Sequence, residues 1–344
     1  MDFDIVNPLA WNGWDDLVAS HRQASVFHTT FWAQVLMESY GFDARYLISR
    51  RNGTLEMAIP VMEVSCILSG RRAVALPFSD YCDPLLGEGV SFQKALAAVY
   101  ECGRTRGWRS FEVRRRGPLP PEISASATFR GHVLDLLPDE RVLYGRFRGS
   151  TQRNIRKAAS QSVSVTMNQT DDTMAAFYRL NCLTRRDHGL PPQPTRFFAS
   201  LSRAIRKNDS GFVAIAYFQG KPIAGAVYLH FGDKAVYKFG ASDRRYQKFR
   251  ANNLVMWEAI RWYAARGTRT LCLGRTEPDN EGLRQFKNGW GTREDVIGYV
   301  KYDYATGAYV TSASMIKGVH NRFFRNMPIS VSRCIGSAIY KYMA

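Results

Sequence analysis

Three short stretches of this chain concentrate side chains that can bind or move charge. In GSTQRNIRKAASQSVSV, Arg153, Arg156 and Lys157 recur at about one-turn spacing behind Ser150 or Thr151, either of which can cap a helix. Cations three or four apart share a helix face, and free N–H groups at a helix start attract phosphate. The second stretch, YKFGASDRRYQKFRANNLVMWEAIRWYAARG, sets glycine and a run of cations before an apolar helix. In the third, TLCLGRTEPDNEGLRQFKNGWGTRE, a strand ends at Gly274 and opens into a loop rich in acid, base and glycine. αβ sheets receive ligands at such strand ends. Carboxylates able to take a proton or orient an amine are Glu277 and Asp279 in that loop, and Asp80 and Asp83 in SDYCD. Nothing in the sequence separates the four.

Other chemistries lack their signatures. There is no G-x-G-x-x-G, no Walker lysine loop, no G-x-S-x-G and no H-E-x-x-H. The six histidines are dispersed, so no metal site is expected; His188, in TRRDHGLPP, reads as a solvated loop residue. The six cysteines are scattered without a C-x-x-C pair and read as reduced thiols, several of them buried.

Composition fits a folded protein: 344 residues, 45% hydrophobic and 22% charged, enough for two domains with their own cores. No apolar run is long enough for a membrane span, and the acidic start MDFDIVNPLAWNGWDD lacks the order of a signal peptide. A cytoplasmic location is expected. The formal charge of +17 calls for a polyanionic partner: nucleic acid, an anionic membrane surface or a pyrophosphate-linked substrate.

The elements that must position these residues occur twice. Asn52-Gly53 and Gln219-Gly220 each separate two strand-like runs, as a tight hairpin turn does. Each hairpin is followed by an apolar-periodic helix that stops at a glycine, Gly107 or Gly267, and then by a strand over residues 108–113 or 268–273. The proline-rich stretch between Arg114 and Gly131 reads as the loop joining the copies, and Thr306-Gly307 as the turn of a closing hairpin. After residue 314, apolar Ile316, Val319, Phe323, Ile335, Ile339 and Tyr342 mix with Lys317, Arg322, Arg325, Arg333 and Lys341 in two short helices broken at Pro328. Such a basic amphipathic tail can lie on an anionic membrane or pack on the lobes.

The second and third stretches together resemble the C-terminal lobe of Fem-type peptidyltransferases and related acetyltransferase domains. The matching residues are Tyr237, Gly240-Ala241-Ser242, Trp257, Ile260, Arg266-Gly267, Gly274, Gly282-Leu283, Phe286-Lys287 and Trp290-Gly291. FHTTFWAQVLMESYG, LPFSDYCDPLL, the R-N-I-R-K helix and TRRDHGLPPQPTRFF extend the likeness over roughly residues 26–304. The resemblance implies a mixed α/β fold of two tandem GNAT (acetyltransferase) lobes. The expected domains are residues 1–130, residues 131–311 carrying F-K-x-x-W-G, and the basic helical tail 312–344.

It also implies an acyltransferase. Fem-type enzymes move an aminoacyl group from aminoacyl-tRNA to an amine of a cell-wall precursor, and others of the wider group acylate from coenzyme A thioesters. The phosphate loop of ordinary acetyltransferases, [R/Q]-x-x-G-x-[G/A], appears here as Gln247-Lys-Phe-Arg250-Ala-Asn252, with both glycines replaced. Nor is there the long helical arm that several Fem enzymes insert. The donor therefore stays open between aminoacyl-tRNA and an acyl thioester of coenzyme A or a carrier protein. The acceptor is an amine of an envelope, polysaccharide or lipid-linked precursor, met at the inner face of the membrane if the tail binds there. An N-acyltransferase of a small amine or amino acid, and a non-catalytic protein binding RNA or anionic membrane, are the alternatives. By resemblance, Lys287 stabilises the oxyanion or leaving group; the base stays open among Asp80, Asp83, Glu277 and Asp279. Phe286, Trp290, Gln247, Arg250, Gly274 and Arg275 serve the donor; Arg153, Arg156, Arg185 and Tyr81 serve the acceptor's phosphates. No metal is expected.

Overall fold

The computed structural model describes residues 2–66, 70–311 and 324–343, and of Cys66 the backbone only. The chain runs β1 (Asp4–Val6), α1 (Trp14–Ala19), α2 (Thr30–Tyr40), β2 (Asp43–Ala44), β3 (Tyr46–Arg51), β4 (Thr54–Ile59), β5 (Met62–Cys66), β6 (Gly70–Val74), β7 (Leu85–Leu86), α3 (Phe92–Arg106), β8 (Ser110–Arg116) and β9 (Ala127–Asp135). It continues through α4 (Glu140–Gly145), α5 (Gly149–Ser160), β10 (Val163–Asn168), α6 (Asp171–Asp187), α7 (Thr195–Asn208), β11 (Gly211–Phe218), β12 (Lys221–Phe231) and β13 (Lys234–Ser242). Then follow α8 (Ala251–Ala264), β14 (Thr270–Thr276), α9 (Glu281–Asn288), β15 (Arg293–Asp303), β16 (Ala308–Tyr309) and α10 (Ile329–Ile339). Two compact units result. The first holds residues 2–130 with 295–311 and 341–343, the second residues 131–294 with 324–340.

Both expected hairpins form by the same device. Asn52 and Gly53 take φ of 52° and 80°, Gln219 and Gly220 φ of 50° and 73°, the pair of left-handed residues that matches strand twist in a two-residue turn. The helix stops agree as well. Gly107 and Gly267 have φ of 64° and 74°. The next N–H in each case bonds back five residues, Trp108 to the Gly103 carbonyl and Thr268 to that of Tyr263. That closing bond belongs to the helix end. It therefore delays each strand to Ser110 and Thr270, two residues later than the spacing predicts. The closing hairpin of β15 and β16 is also present, with Gly307 at φ 64°.

In the first unit β8 pairs antiparallel with β15 and parallel with β6, which leads through β5 to β2; β1, β3, β4 and β7 form a second sheet. α3, capped by the Ser91 hydroxyl, covers a core of Leu47, Met57, Ile59, Val99, Phe111 and Val113. The expected joining loop is shorter than its composition implies. Arg114, Arg115 and Arg116 stay in β8, opposite Tyr299, Gly298 and Ile297, because Arg114 is neutralised by Glu112 at 2.8 Å and donates to the Ser79 carbonyl at 2.9 Å.

In the second unit the order is β10-β11-β12-β13-β14-β9, antiparallel from β10 to β13 and parallel between β13 and β14. α8 packs on it through Leu254, Val255, Trp257, Ile260 and Tyr263. Of the tail, Lys317, Arg322, Ile316, Val319 and Phe323 lie outside the described residues. α10 packs on the second unit: Arg333 stacks over Tyr178 at 5.3 Å and donates to the Thr195 hydroxyl, and Arg185 reaches the Tyr340 hydroxyl at 3.0 Å.

Gly211 begins β11 where β12 crosses closely. A Cβ there would stand 2.2 Å from the Tyr228 carbonyl oxygen and 3.1 Å from the Leu229 Cα. Backbone cannot yield as a side chain can, so Gly211→Ala is expected to lower stability by about 1–3 kcal/mol in urea unfolding.

Candidate active site in the second unit

The second unit opens where its parallel strands part. Lys234, Ala235 and Val236 of β13 pair with Thr270, Leu271 and Cys272 of β14. Among the described residues their pairing stops there, though β13 runs on to Ser242 and β14 to Thr276. β12 pairs with β13 along its length, through a bulge at Val227 and Tyr228, as far as Ala224 opposite Ser242. Where β13 ends lies a cavity of about 130 Å³, with Ser242, Asp243, Gln247, Arg250, Asn252 and Phe286 among its walls. Four or so waters' worth of space suits one phosphate or acyl group, not a whole substrate.

Arg250 sets the start of α8. Its φ of 57° and ψ of 28° are left-handed. The backbone thus keeps the conformation for which glycine is suited at this point of the phosphate loop, while the side chain adds an exposed guanidinium. Gln247 is exposed beside it, and its backbone carbonyl accepts from the Arg250 N–H at 3.1 Å. Asp243, held in bidentate contact by Arg245, has its carboxyl below the usual range, chiefly through those hydrogen bonds. Tyr237 lies beneath, its hydroxyl against Gly240, and burial pushes its phenol up to about 12.

Phe286 and Lys287 sit on α9, whose start is capped by the Asn280 side chain. Lys287 is 4% exposed and does not line the cavity. Its ammonium donates to the Arg275 carbonyl at 2.7 Å, tying α9 to the end of β14. Gly274, at φ 71°, gives β14 the turn it makes there. Trp290 is wholly buried, edge-on to Phe147 at 5.0 Å and Phe286 at 6.1 Å. It backs Phe286 and has no surface to offer a donor directly.

A chain of polar groups behind α9 carries no signal in the sequence beyond its separate letters. Arg284 grips Glu294 with both nitrogens, at 2.8 and 3.0 Å. The Asn288 amide donates to Glu294 at 2.6 Å, which leaves its oxygen to accept from Nδ1 of His132 at 3.0 Å. His132 is fully buried, and burial together with the Lys287 charge holds its imidazole below the usual range. His132 could not be singled out from HVLDLL because a lone strand histidine has no partner until the chain folds.

The remaining expected residues scatter. Arg153 and Arg156 are exposed on α5. Arg185, expected on phosphate, is engaged by the Pro191 carbonyl and the Tyr340 hydroxyl. Glu277 and Asp279 are exposed beyond β14. Asp80, Tyr81 and Asp83 belong to the first unit. There the segment after β6 runs along β8 instead of leaving an opening, with Ala75 bonded to the Glu112 carbonyl and Cys82 to that of Arg114. Asp83 accepts from the Arg116 N–H at 2.6 Å and Arg116 stacks over Tyr81 at 5.1 Å. Burial raises the Asp83 carboxyl to about 6 against the pull of Arg116 and Arg115. The Asp80 carbonyl accepts from the Tyr299 hydroxyl at 2.9 Å. Among the described residues no cluster of metal-ligating side chains occurs, and no helix is long and apolar enough to cross a membrane.

Comparisons with known proteins find the same class of fold. Residues 145–288, less than half of the chain, match the acetyltransferase (GNAT) domain family. A crystal structure of FemX superposes with a TM-score of 0.69 over 89% of this chain and 98% of its own, at 13% identity. A tandem GNAT protein from the clavulanic acid biosynthesis pathway gives 0.54 over 91% and 99%, at 11% identity. The chain is thus a tandem GNAT-fold protein. Over shorter stretches its sequence is similar to lipid II:glycine glycyltransferases. It is 31% identical over 101 residues to a lipid II:glycine glycyltransferase of Staphylococcus haemolyticus, and 32% over 80 residues to one of Staphylococcus epidermidis. Those matches cover 27% and 22% of this chain and about a quarter or less of the relatives' length, 24% and 19%.

The Glu294 contacts make α9 acid-sensitive. Its carboxyl is lowered from an ordinary 4.5 to about 2, first through Arg284. A depressed carboxyl contributes stability that is present above the unfolded value and lost as pH falls through the folded one. Glu294→Gln is therefore expected to lower stability at neutral pH and to flatten the loss below about pH 4.5, read by urea unfolding across that range.

Proposed function

We propose that this chain transfers an aminoacyl or other acyl group from an activated ester or thioester to an amine of a lipid-linked cell-envelope precursor. The observation that carries the reading is the opening between β13 and β14, with Gln247, Arg250 and Phe286 gathered round one small cavity. The local identity to lipid II:glycine glycyltransferases supports the choice of acceptor. In the reaction the amine nitrogen bonds to the acyl carbon, the C–O or C–S bond to the donor breaks, and the amine loses a proton. Such a step needs reactants held together, a base, and relief of charge on the carbonyl oxygen.

Arg250 and the N–H groups opening α8 hold the donor's phosphate. Phe286 walls the acyl end. Lys287 serves the developing negative charge from behind the strand end: its ammonium, bonded to the Arg275 carbonyl, lies in a dry region where a charge acts over longer range than in water. Glu277, exposed just beyond β14 in the same unit as the cavity, is the carboxylate favoured as base. Arg153 and Arg156, exposed and one helical turn apart, remain the acceptor-phosphate pair. A thioester donor is a second reading, favoured by the left-handed backbone kept at Arg250.

Candidate amine acceptors incubated with charged tRNA or with acyl-coenzyme A decide between donors. A mass gain on a lipid-linked precursor with charged tRNA is the expected result; gain only with the thioester selects the second reading, and gain with neither removes the proposal. Lys287→Met is expected to slow single-turnover chemistry by about 10²–10³, the usual cost of losing one charge-stabilising donor, with acceptor binding nearly unchanged. A folded variant with unimpaired turnover would take Lys287 out of the mechanism.

A further inference from the structure

The first unit carries a second cavity, far more polar than its surroundings require. It measures about 400 Å³ and is edged by Arg45, Arg71, Arg106 and Lys341 against Asp43 and Glu63. Four cations therefore face two carboxylates, and both carboxylates are already committed. Glu63, 7% exposed, takes both Nε and Nη2 of Arg106 and the Trp108 indole N–H at 2.6 Å. Asp43 pairs with Arg45 at 2.6 Å. Among the described residues neither Arg71 nor Lys341 forms a close ion pair with a carboxylate: the Arg71 charge helps to hold the Glu63 carboxyl low from a distance, and its guanidinium donates to the Arg106 carbonyl at 3.0 Å. Tyr40 and Phe42, stacked at 5.2 Å, stand at its edge.

Next to this basic hollow the chain end exposes apolar side chains. Tyr342 is 49% and Met343 51% exposed. They are fastened to the same sheet, because Arg72 donates to the Tyr342 carbonyl at 3.4 Å. Arg109, exposed, lies against Gly70 on the neighbouring strand. Cations round a hollow roomy enough for a whole lipid headgroup, and an aromatic and a methionine projecting beside it, are the two components of interfacial membrane binding. An anionic headgroup would enter the hollow while Tyr342 and Met343 enter the boundary with the acyl chains.

We propose that this face of the first unit docks on an anionic bilayer, with a lipid headgroup phosphate held by Arg71 and Lys341. The proposal deepens the reading of a lipid-linked acceptor by bringing the protein to the surface where such a lipid resides. Its test needs no substrate, so it can fail while that reading stands.

The full chain is sedimented with phosphatidylcholine vesicles, with and without phosphatidylglycerol, at low and at physiological salt. Binding is expected only with phosphatidylglycerol, and weaker at higher salt. Arg71→Glu combined with Lys341→Glu should reduce it about 30-fold or more, since each basic residue near such a surface is worth about a tenfold change or less. Arg71 is exposed and Lys341 half-buried, and a melting curve confirms the fold. Met343→Asp should weaken binding in the same direction without touching the cations. Lys207→Glu combined with Lys221→Glu, the same change of charge in exposed parts of the second unit, should leave binding within a few fold. Equal losses in the two pairs would show that only net charge matters and would overturn the site. Unchanged sedimentation of the Arg71/Lys341 variant would overturn it too. So would inorganic phosphate protecting these residues while vesicles do not bind, or binding of RNA through them in place of vesicles.

Discussion

The second unit depends on two parallel strands that cannot stay together. β13 and β14 exchange backbone bonds over three residue pairs and then part, while β12 keeps its hold on β13 to the last residue. Parallel pairing is evenly spaced and slanted, so each further pair would demand that both strands keep one twist. The bulge opposite Val227 and Tyr228 and the left-handed Gly274 end that agreement on either side. Beyond that point the two strands no longer pair with each other, and the start of α8 follows the end of β13. The first unit contains the same parallel pair, β6 and β8, and fills the corresponding place with its own chain. The duplication is one of fold, and the two copies have diverged in what they leave open.

Arg250 shows how a binding loop can lose its glycine and keep its shape. A left-handed arginine costs on the order of 1 kcal/mol over glycine. The surrounding structure sustains it: Arg250 ends one short helical turn with its own N–H on the Gln247 carbonyl and starts the next with its carbonyl on the Asn253 N–H, at 2.9 Å. In exchange the cavity gains a guanidinium, which can grip a phosphate from the side where a glycine would have let the backbone approach it. The change of residue reads in the sequence as damage, whereas the structure keeps the left-handed backbone and adds an exposed guanidinium.

Lys287 illustrates a different coupling. Its motif marks it as chemical, yet its ammonium is spent partly on holding α9 to the end of β14, and its charge depresses the imidazole of His132. Position and chemistry are therefore joined in one group: moving the lysine would displace Phe286 from the cavity wall as well as remove a charge. The Arg284–Glu294–Asn288–His132 chain holds α9 from behind by contacts that only a folded chain can make.

The sequence by itself determined the local events. Asn-Gly and Gln-Gly turns, the glycine helix stops and the apolar periodicity of α3 and α8 are fixed by the φ preferences and spacing of neighbouring residues, so they read correctly one by one, and their repetition exposed the tandem architecture. The strand ends did not, because the closing bonds of Trp108 and Thr268 belong to the helix before them. The site was legible only where its members are close in sequence, as with Gln247 and Arg250, or sit in one motif, as with Phe286 and Lys287. Tertiary structure alone decided that Phe286 meets Gln247 and Arg250 across the cavity, that Trp290 is core, that Arg185 holds the tail, and that His132 joins Lys287 behind the strand. Burial and long-range contact set those roles, and neither exists until β13 and β14 have parted and the helices have packed around them.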